Sequence, residues 1–302
     1  MLLLLPPSEG KTPAPRGARP LDLHGLSRPG LTAAREQVLD ALAAVSAGPD
    51  AMRVLGVGPS LAAEVARNTR LRTAPATDMS RVYSGVLFAA LGLADLDATA
   101  RRRARAHVVV VSALWGALSP GDRVPAYRLA MGTTLPGIGP LAAHWRGPLA
   151  AALGGGGQGG DGHGGEGQGG DGLGGAAGGG LRGPGGPGGG GGQGGHGGHG
   201  GHGVVVDCRS APYAAAWRPA REHAETLVAV RVLSDGQVVS HHAKHTRGVL
   251  ARHLLVRAPR VPRSPHALAE AAAELFDVEL VRSGPGYRLD VHAPAVGGSP
   301  TA

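Results

Sequence analysis

Four consecutive valines at positions 108–111 place the strongest single constraint on how this chain can fold. An unbroken run of β-branched residues is typical of a strand buried on both faces, as in a parallel or mixed sheet. The strand leads into a turn-rich segment of polar and aromatic side chains that extends to Met131. Open α/β sheets bind ligands at such strand ends, so this segment is a candidate site, although Trp115 and Tyr127 could instead simply complete the core.

Other apolar patterns predict strands and helices on both sides of the valines. Helical spacing of apolar residues covers residues 31–45 and 268–276. A Ser-Asp-Gly turn at 234–236 is typical of a hairpin between two short strands. The predicted strands outside the valine run are residues 2–5, 204–206, 226–232, 237–240 and 286–290. We therefore predict a mixed α/β (α+β) fold, a single domain with a mixed β-sheet flanked by helices.

Residues 154–203 interrupt this pattern, because 33 of these 50 positions are glycine. Such a segment buries too little apolar surface to offset the entropy of ordering it, so we predict a disordered Gly/His-rich insertion. The single domain then comprises residues 1–153 and 204–292, and residues 293–302 form a frayed tail. We predict no metal site and no cofactor, because compositional drift explains the histidines of the insertion more simply than metal binding does. These histidines are His163, His196, His199 and His202.

The net charge of the chain indicates what kind of partner it binds. A formal net charge of +8 favours a polyanionic partner such as nucleic acid, although solvated arginines could also account for it.

Cys208 is the only cysteine, which excludes an intrachain disulfide and fits a reducing cytoplasm; we interpret it as a small core residue. No apolar run approaches the roughly 20 residues of a membrane span, and the apolar start lacks the basic residues of a signal peptide. We predict a cytoplasmic protein that does not enter a membrane.

The loop at residues 8–12 follows the first predicted strand. Its Gly-Lys-Thr sequence resembles the end of a phosphate-binding P-loop, but Leu5 stands where the first glycine of that motif is required. Pro13 and Pro15 also block the helix that should follow. A looser role remains, in which Lys11 and backbone N–H groups face an anion, and the alternative is that Lys11 is an ordinary surface lysine.

Residues 55–65 follow the spacing of a helix-hairpin-helix. In that module the hairpin glycines bring backbone N–H groups to a DNA phosphate, and the contacts do not depend on base sequence. The alternative is a plain corner between two helices, whose glycines only close the turn. The candidate DNA-binding residues are Gly56, Gly58, Arg53, Arg67 and Arg70.

Residues 112–132, SALWGALSPGDRVPAYRLAMG, resemble the signature segment of the YaaA family of peroxide stress proteins. That segment reads roughly S-x-L-[YW]-G-x-L-x-P-x-D-x-[IM]-x-x-Y-R-L-x-M. So many fixed positions within about twenty residues make a far more specific signal than a lone glycine motif. The matching residues are Ser112, Leu114, Trp115, Gly116, Leu118, Pro120, Asp122, Tyr127, Arg128, Leu129 and Met131.

Further segments carry the same resemblance, from the first strand to the last. The cations of the segment at 242–252 recur at helical spacing and suit phosphate, and the alternative is a solvated basic face. The matching residues of these segments are Ser8 and Lys11; Tyr83, Ser84, Gly85 and Leu87; Trp145 and Leu149; Asp207, Ser210 and Tyr213; Ala243, Lys244, Arg247, Gly248 and Arg252; and Gly286, Tyr287, Leu289 and Asp290.

The resemblance implies a cytoplasmic protein of the peroxide (oxidative) stress response that lowers free intracellular iron and protects DNA. It implies duplex DNA as a partner, bound through a basic cleft and the helix-hairpin-helix-like hairpin, and it leaves the oligomeric state open. It implies no secure enzymatic activity. The alternative is an enzyme of unknown reaction that acts on a phosphate- or carboxylate-bearing substrate in the same cleft, although no Ser-His-Asp order or His-Glu-x-x-His helix is present.

Several of the matching residues follow predicted strand ends, which lie along one edge of an open sheet. We therefore expect them to form one anion-binding cleft. The alternative is that the carboxylates neutralise the cations and leave no site. The expected cleft residues are Ser8, Lys11, Asp122, Tyr127, Arg128, Asp207, Ser210, Lys244 and Arg247.

Overall fold

The fold is built on a seven-stranded sheet. The computed structural model describes residues 1–154, 203–233, 240–257 and 260–293. The strands in these ranges are β1 (Leu2–Leu5), β2 (Thr77–Asp78), β3 (Val108–Ser112), β4 (Gly116–Leu118), β5 (Arg123–Val124), β6 (Thr134–Leu135), β7 (Gly139–Pro140), β8 (Val205–Asp207), β9 (Leu227–Leu233), β10 (Asp277–Ser283) and β11 (Gly286–His292).

The large sheet has the strand order β10-β11-β9-β8-β1-β3-β4. The five inner strands run parallel to one another, whereas β4 and β10 pair antiparallel at the two edges. The remaining strands form two small antiparallel ladders, β2 with β5 and β6 with β7. The predicted mixed sheet is thus confirmed.

The centre of the sheet consists of the two apolar runs that dominate the sequence. All residues of β1 and β3 are buried, and Leu3 pairs with Val108 in parallel register. On its other side β1 pairs with β8, where Leu3 lies opposite Val206. Continuous apolar runs occur in parallel strands because helices and loops cover both faces of such a sheet.

Helices surround this sheet, which confirms the predicted α/β class. Short 3-10 helices at Pro29–Leu31, Pro59–Leu61, Asn68–Arg70, Leu93–Asp95 and Arg221–Thr226 connect some of the elements. The α-helices are α1 (Thr32–Ala47), α2 (Ala51–Leu55), α3 (Ala62–Arg67), α4 (Met79–Val82), α5 (Val86–Leu91), α6 (Ala98–His107), α7 (Leu141–Leu153), α8 (Ala211–Ala214), α9 (Ser240–Val256) and α10 (Pro265–Ala273).

Helices α5 and α9 approach each other very closely, and Gly248 of α9 is the point of contact. A Cβ atom at this position would lie 2.3 Å from the carbonyl oxygen of Leu87 and 2.8 Å from Cβ of Ala90. Because no other residue lacks a Cβ, only glycine allows this backbone separation. The contact holds α9 in register with the first turn of α5.

The predicted strands differ from the structure in several places, since β2, β4, β5, β6, β7 and β10 were not predicted. Ser240 begins helix α9 rather than ending a strand, and residues 237–239 and the turn at 234–236 lie outside the described ranges. Strand β10 escaped prediction because Asp277–Ser283 is rich in charged residues and mostly exposed, as befits an edge strand.

Parts of the predicted organisation fall on residues that the structure does not describe. Of the predicted insertion 154–203, residues 155–202 lie outside the described ranges, and so do residues 294–302 of the predicted tail. Gly154 is described and ends α7 with a φ of 69°. Among the described helices, none combines the length and the apolar character needed to cross a bilayer.

Candidate anion-binding site

A cavity of about 580 Å³ lies where loops follow the carboxyl ends of the parallel strands β1 and β8. Ligand sites of α/β sheets occur at this edge, and the volume is typical of a small-molecule site. Its polar lining consists of Ser8, Glu9, Lys11, Arg128, Ser210, Lys244 and Arg247. Its apolar lining includes Leu55, Val57, Phe88, Leu129, Met131 and Tyr213. We call this space the basic cavity.

Lys11 lies at one wall of the basic cavity, partly buried. Its Nζ donates hydrogen bonds to the backbone oxygens of Ser8 at 2.8 Å and Glu9 at 3.3 Å, and lies 4.3 Å from the centre of the Tyr127 ring. Burial, followed by repulsion from the nearby Arg128 guanidinium, lowers the pKa of Lys11 to about 7. A substantial fraction of this amine is therefore uncharged at neutral pH.

A chain of buried hydroxyl groups lies behind Lys11. The Oγ of Ser112 accepts the N–H groups of Leu114 and Trp115, so its own proton points to the Tyr127 hydroxyl 2.7 Å away. The Tyr127 hydroxyl is then free to donate to that of Tyr83 at 3.0 Å. Burial raises the pKa of both phenols, so neither supplies a negative charge to Lys11. The uncharged Tyr127 ring thus packs against the Lys11 amine.

The backbone of Arg128 is held by Asn68, a residue that the sequence analysis missed. The Asn68 side chain accepts the N–H of Arg128 and donates to its carbonyl oxygen, both at 2.9 Å, and is almost fully buried. The Arg128 guanidinium lies 3.7 Å from the Glu64 carboxylate. A single Asn in a short 3-10 turn carries no recognisable signal, because its partner is 60 residues away in sequence.

Helix α9 contributes two cations to the basic cavity. Lys244 is exposed, whereas Arg247 is partly buried and donates from Nη2 to the carbonyl oxygen of Val230 at 2.9 Å. The Nε of Arg247 is buried and has no hydrogen-bond partner among the described residues. Arg252, which shares their helical spacing, instead donates to the carbonyl oxygens of Leu91 and Gly92 at the end of α5.

Three of the residues expected in the cleft, Asp122, Asp207 and Tyr127, are not among its lining residues. Asp122 is buried and accepts the N–H groups of Ser27 and Ser119, each at 2.8 Å, so it fixes a loop junction. Asp207 forms a bidentate pair with Arg209, with both N–O distances at 2.8 Å. Because local donors satisfy both carboxylates, their placement in the cleft is wrong, and they do not neutralise its cations.

The residues expected to bind DNA are divided between different places. Gly56 lines the basic cavity, and Arg53 is exposed and paired with Asp50 at 3.1 Å. Arg67 and Arg70 line a second cavity of about 350 Å³, which shares no lining residue with the first.

The hairpin itself joins the short helices α2 and α3. Gly56 has a φ of 63°, and the N–H groups of Gly56 and Val57 donate to the carbonyl oxygens of Arg53 and Met52. Of the two glycines, Gly58 alone has an N–H without a backbone acceptor among the described residues. Its φ of −80° is ordinary, so only the close approach of a ligand would require glycine there.

Cys208 is a core residue. It is fully buried, and burial raises the pKa of its thiol to about 12. We expect no alkylation of the folded protein by iodoacetamide at pH 8. The thiol is buried away from the reagent, and at this pH, well below its pKa, it stays protonated. Complete alkylation in denaturant is the control, and rapid modification of the native protein would contradict the assignment.

Known proteins similar to this chain identify its family. A family model described as Peroxide stress protein YaaA matches residues 1–161. A UPF0246 protein of Streptomyces coelicolor is 43% identical over 304 residues, covering 99% of this chain and 96% of that protein. UPF0246 proteins of Corynebacterium efficiens and Corynebacterium glutamicum are 34% and 31% identical, covering 90% and 92% of this chain and 91% and 95% of theirs. The chain therefore belongs to the YaaA (UPF0246) family of peroxide stress proteins.

Proposed function

We propose that the protein acts in the cytoplasmic response to peroxide by binding duplex DNA and protecting it, with DNA phosphates held at the basic cavity. The observation that carries this proposal is the convergence of four cations from three distant segments: Lys11, Arg128, Lys244 and Arg247. Cations brought together repel one another, and a bound polyanion relieves that repulsion. The Nε of Arg247, which has no acceptor among the described residues, is one further donor beside these cations.

The hairpin lies beside this cavity and supports the same proposal. Gly56 and Val57 line the cavity, and the open N–H of the adjoining Gly58 is a donor for a phosphate oxygen. Backbone contacts of this kind do not read bases, so we expect binding to all duplex sequences alike. The lowering of free intracellular iron belongs to the same proposal.

Fluorescence anisotropy with a labelled duplex tests this function. The apparent affinity should fall by roughly 10³ or more between 50 and 200 mM salt if six or more phosphates are contacted. In Gly58→Val the new side chain meets no atom within 4 Å of its Cβ, so the fold should persist while phosphate approach is blocked. We expect about tenfold weaker binding to every duplex sequence.

Gly121→Val is the matched control, because Gly121 is also exposed, meets no atom within 4 Å and lies outside the basic cavity. Equal affinities of the two variants would show that the hairpin does not contact DNA. An affinity that does not depend on salt would contradict phosphate binding altogether.

A second candidate function is an enzyme that acts on a phosphate- or carboxylate-bearing small molecule in the same cavity. The volume of about 580 Å³ favours it, because a cavity of this size encloses a single small ligand rather than a duplex. Binding of a small phosphate ester that persists when duplex DNA fails to bind would support this alternative.

A further inference from the structure

Lysine is rare in this chain and confined to one place. Among the 30 Lys and Arg residues only Lys11 and Lys244 are lysines, and every other position of this charge is arginine. Both lysines line the basic cavity, although they are more than 200 residues apart in sequence. The two lysines of this arginine-rich chain thus lie at the same cavity.

The chemical difference between the two side chains gives this distribution a meaning. Arginine binds phosphate in a planar, bidentate manner and keeps its proton at any physiological pH. A cavity that needed only positive charge would therefore be served by arginine. A lysine amine can lose its proton and attack an electrophilic carbon, which arginine cannot do.

Of the two amines, Lys11 has the environment of a nucleophile. It is partly buried on two backbone oxygens and the face of Tyr127, and no carboxylate forms an ion pair with it among the described residues. Glu9 and Glu64 favour its charged form, but burial and Arg128 outweigh them and lower its pKa to about 7. Lys244 stands exposed on α9 and is suited to hold an anion.

We infer that Lys11 forms an imine with an aldehyde that is carried by a phosphate ester, while Arg128, Lys244 and Arg247 hold the phosphate. The inference rests on the proposed binding of a phosphate-bearing ligand. The neutral amine adds to the carbonyl carbon as the C=O π bond breaks, and one amine proton moves to the oxygen to give a carbinolamine. The hydroxyl group then leaves as water with the second amine proton while the C=N bond forms, and hydrolysis reverses both steps and restores the amine. No oxidant or reductant takes part.

Two sources offer this chemistry. One is an abasic site in duplex DNA, where the ring-opened deoxyribose is an aldehyde flanked by phosphates. The other is a free sugar phosphate in its open-chain form. Both place an aldehyde a few bonds from a phosphate. In both, the unit that enters the cavity is one sugar with its phosphate, which suits a cavity of this size.

Reductive trapping tests the inference, because cyanoborohydride converts the imine into a stable secondary amine. The protein is incubated at pH 7 with a duplex that contains one abasic site or, separately, with deoxyribose 5-phosphate, and the adduct is mapped by peptide mass spectrometry. We expect an adduct on Lys11 with at least one of the two aldehydes. The arm that reacts at the lower concentration identifies the source.

Two variants sharpen the result. Lys11→Arg leaves a permanent cation at this position but should lose the adduct by at least about tenfold, whereas Arg72→Lys adds an exposed lysine at a position now paired with Asp40. An adduct that forms equally on residue 72, or that maps to Lys244 or the Met1 amine instead of Lys11, would overturn the inference. The lack of any adduct in the wild-type protein would also overturn it. If the same protein still bound an intact labelled duplex in the anisotropy assay, the proposed DNA binding would stand although the imine had failed.

Discussion

Replacing Gly248 with alanine should destabilise the protein by about 3 kcal/mol, because the new methyl group must occupy the space of the Leu87 carbonyl oxygen. Helices α5 and α9 then have to separate by backbone movement, since the obstructing atom belongs to the main chain. The melting temperature should fall by about 6–12 °C. DNA affinity should fall as well, because α9 carries Lys244 and Arg247 while Leu87 lines the same cavity.

Gly147→Ala is the matched control for this substitution. Gly147 is exposed within α7, and a Cβ there would meet no atom within 4 Å. Alanine in a helix interior is favoured over glycine by about 0.5–1 kcal/mol, but Pro148 follows directly and disfavours helical backbone in a preceding residue with a Cβ, so this variant should stay close to the wild type in stability. If Gly248→Ala behaved like Gly147→Ala in thermal unfolding, the close contact of α5 with α9 would be wrong.

Reversing the charge of Lys244 should abolish protection against peroxide while the protein stays folded. Lys244 is exposed in the first half of α9, where a glutamate does not oppose the helix dipole. The change removes one cation from the phosphate site and adds an anion that repels DNA, so duplex affinity should fall and the salt dependence should weaken by about one unit of slope. Survival of a deletion strain that carries the variant, with free iron measured in the same cells, gives the cellular readout.

Arg221→Glu provides the comparison, because it makes the same change of charge far from the site. Arg221 is exposed and precedes the amino end of β9, whereas the basic cavity lies beyond the carboxyl ends of the parallel strands. The variant should keep nearly wild-type affinity and protection. Equal loss in both variants would mean that net charge alone drives binding, and unchanged protection in Lys244→Glu would make Lys244 a solvated surface residue.

The central strands were predictable because burial on both faces leaves a direct mark on composition. Leu2–Leu5 and Val108–Ser112 are apolar almost without interruption, and a parallel sheet is the environment that requires this. Edge strand β10 lacks that mark, since Asp277–Ser283 meets solvent along much of its length. Position in the sheet, rather than strand propensity, decided which strands could be recognised.

The site was less predictable than the sheet, because lying after a strand does not determine where a side chain points. Lys11 and Ser210 follow strand ends and line the cavity, but Asp207, at the end of the same strand β8, turns to Arg209. The sequence does show an arginine two residues after this aspartate, and that arginine is the partner that holds Asp207 away from the cavity. The clamp of Asn68 on Arg128 depends on a contact across 60 residues, which local patterns do not encode.

The position of β1 determines when this protein can fold during its synthesis. Leu2–Leu5 is made before both of its neighbours, β3 and β8, which begin about 100 and 200 residues later. At about 5–20 residues per second, the ribosome needs roughly 10–40 s to deliver the second neighbour. During that interval four leucines lack their native partners and stay exposed. We therefore expect chaperones that bind apolar segments near the ribosome exit to bind this nascent chain.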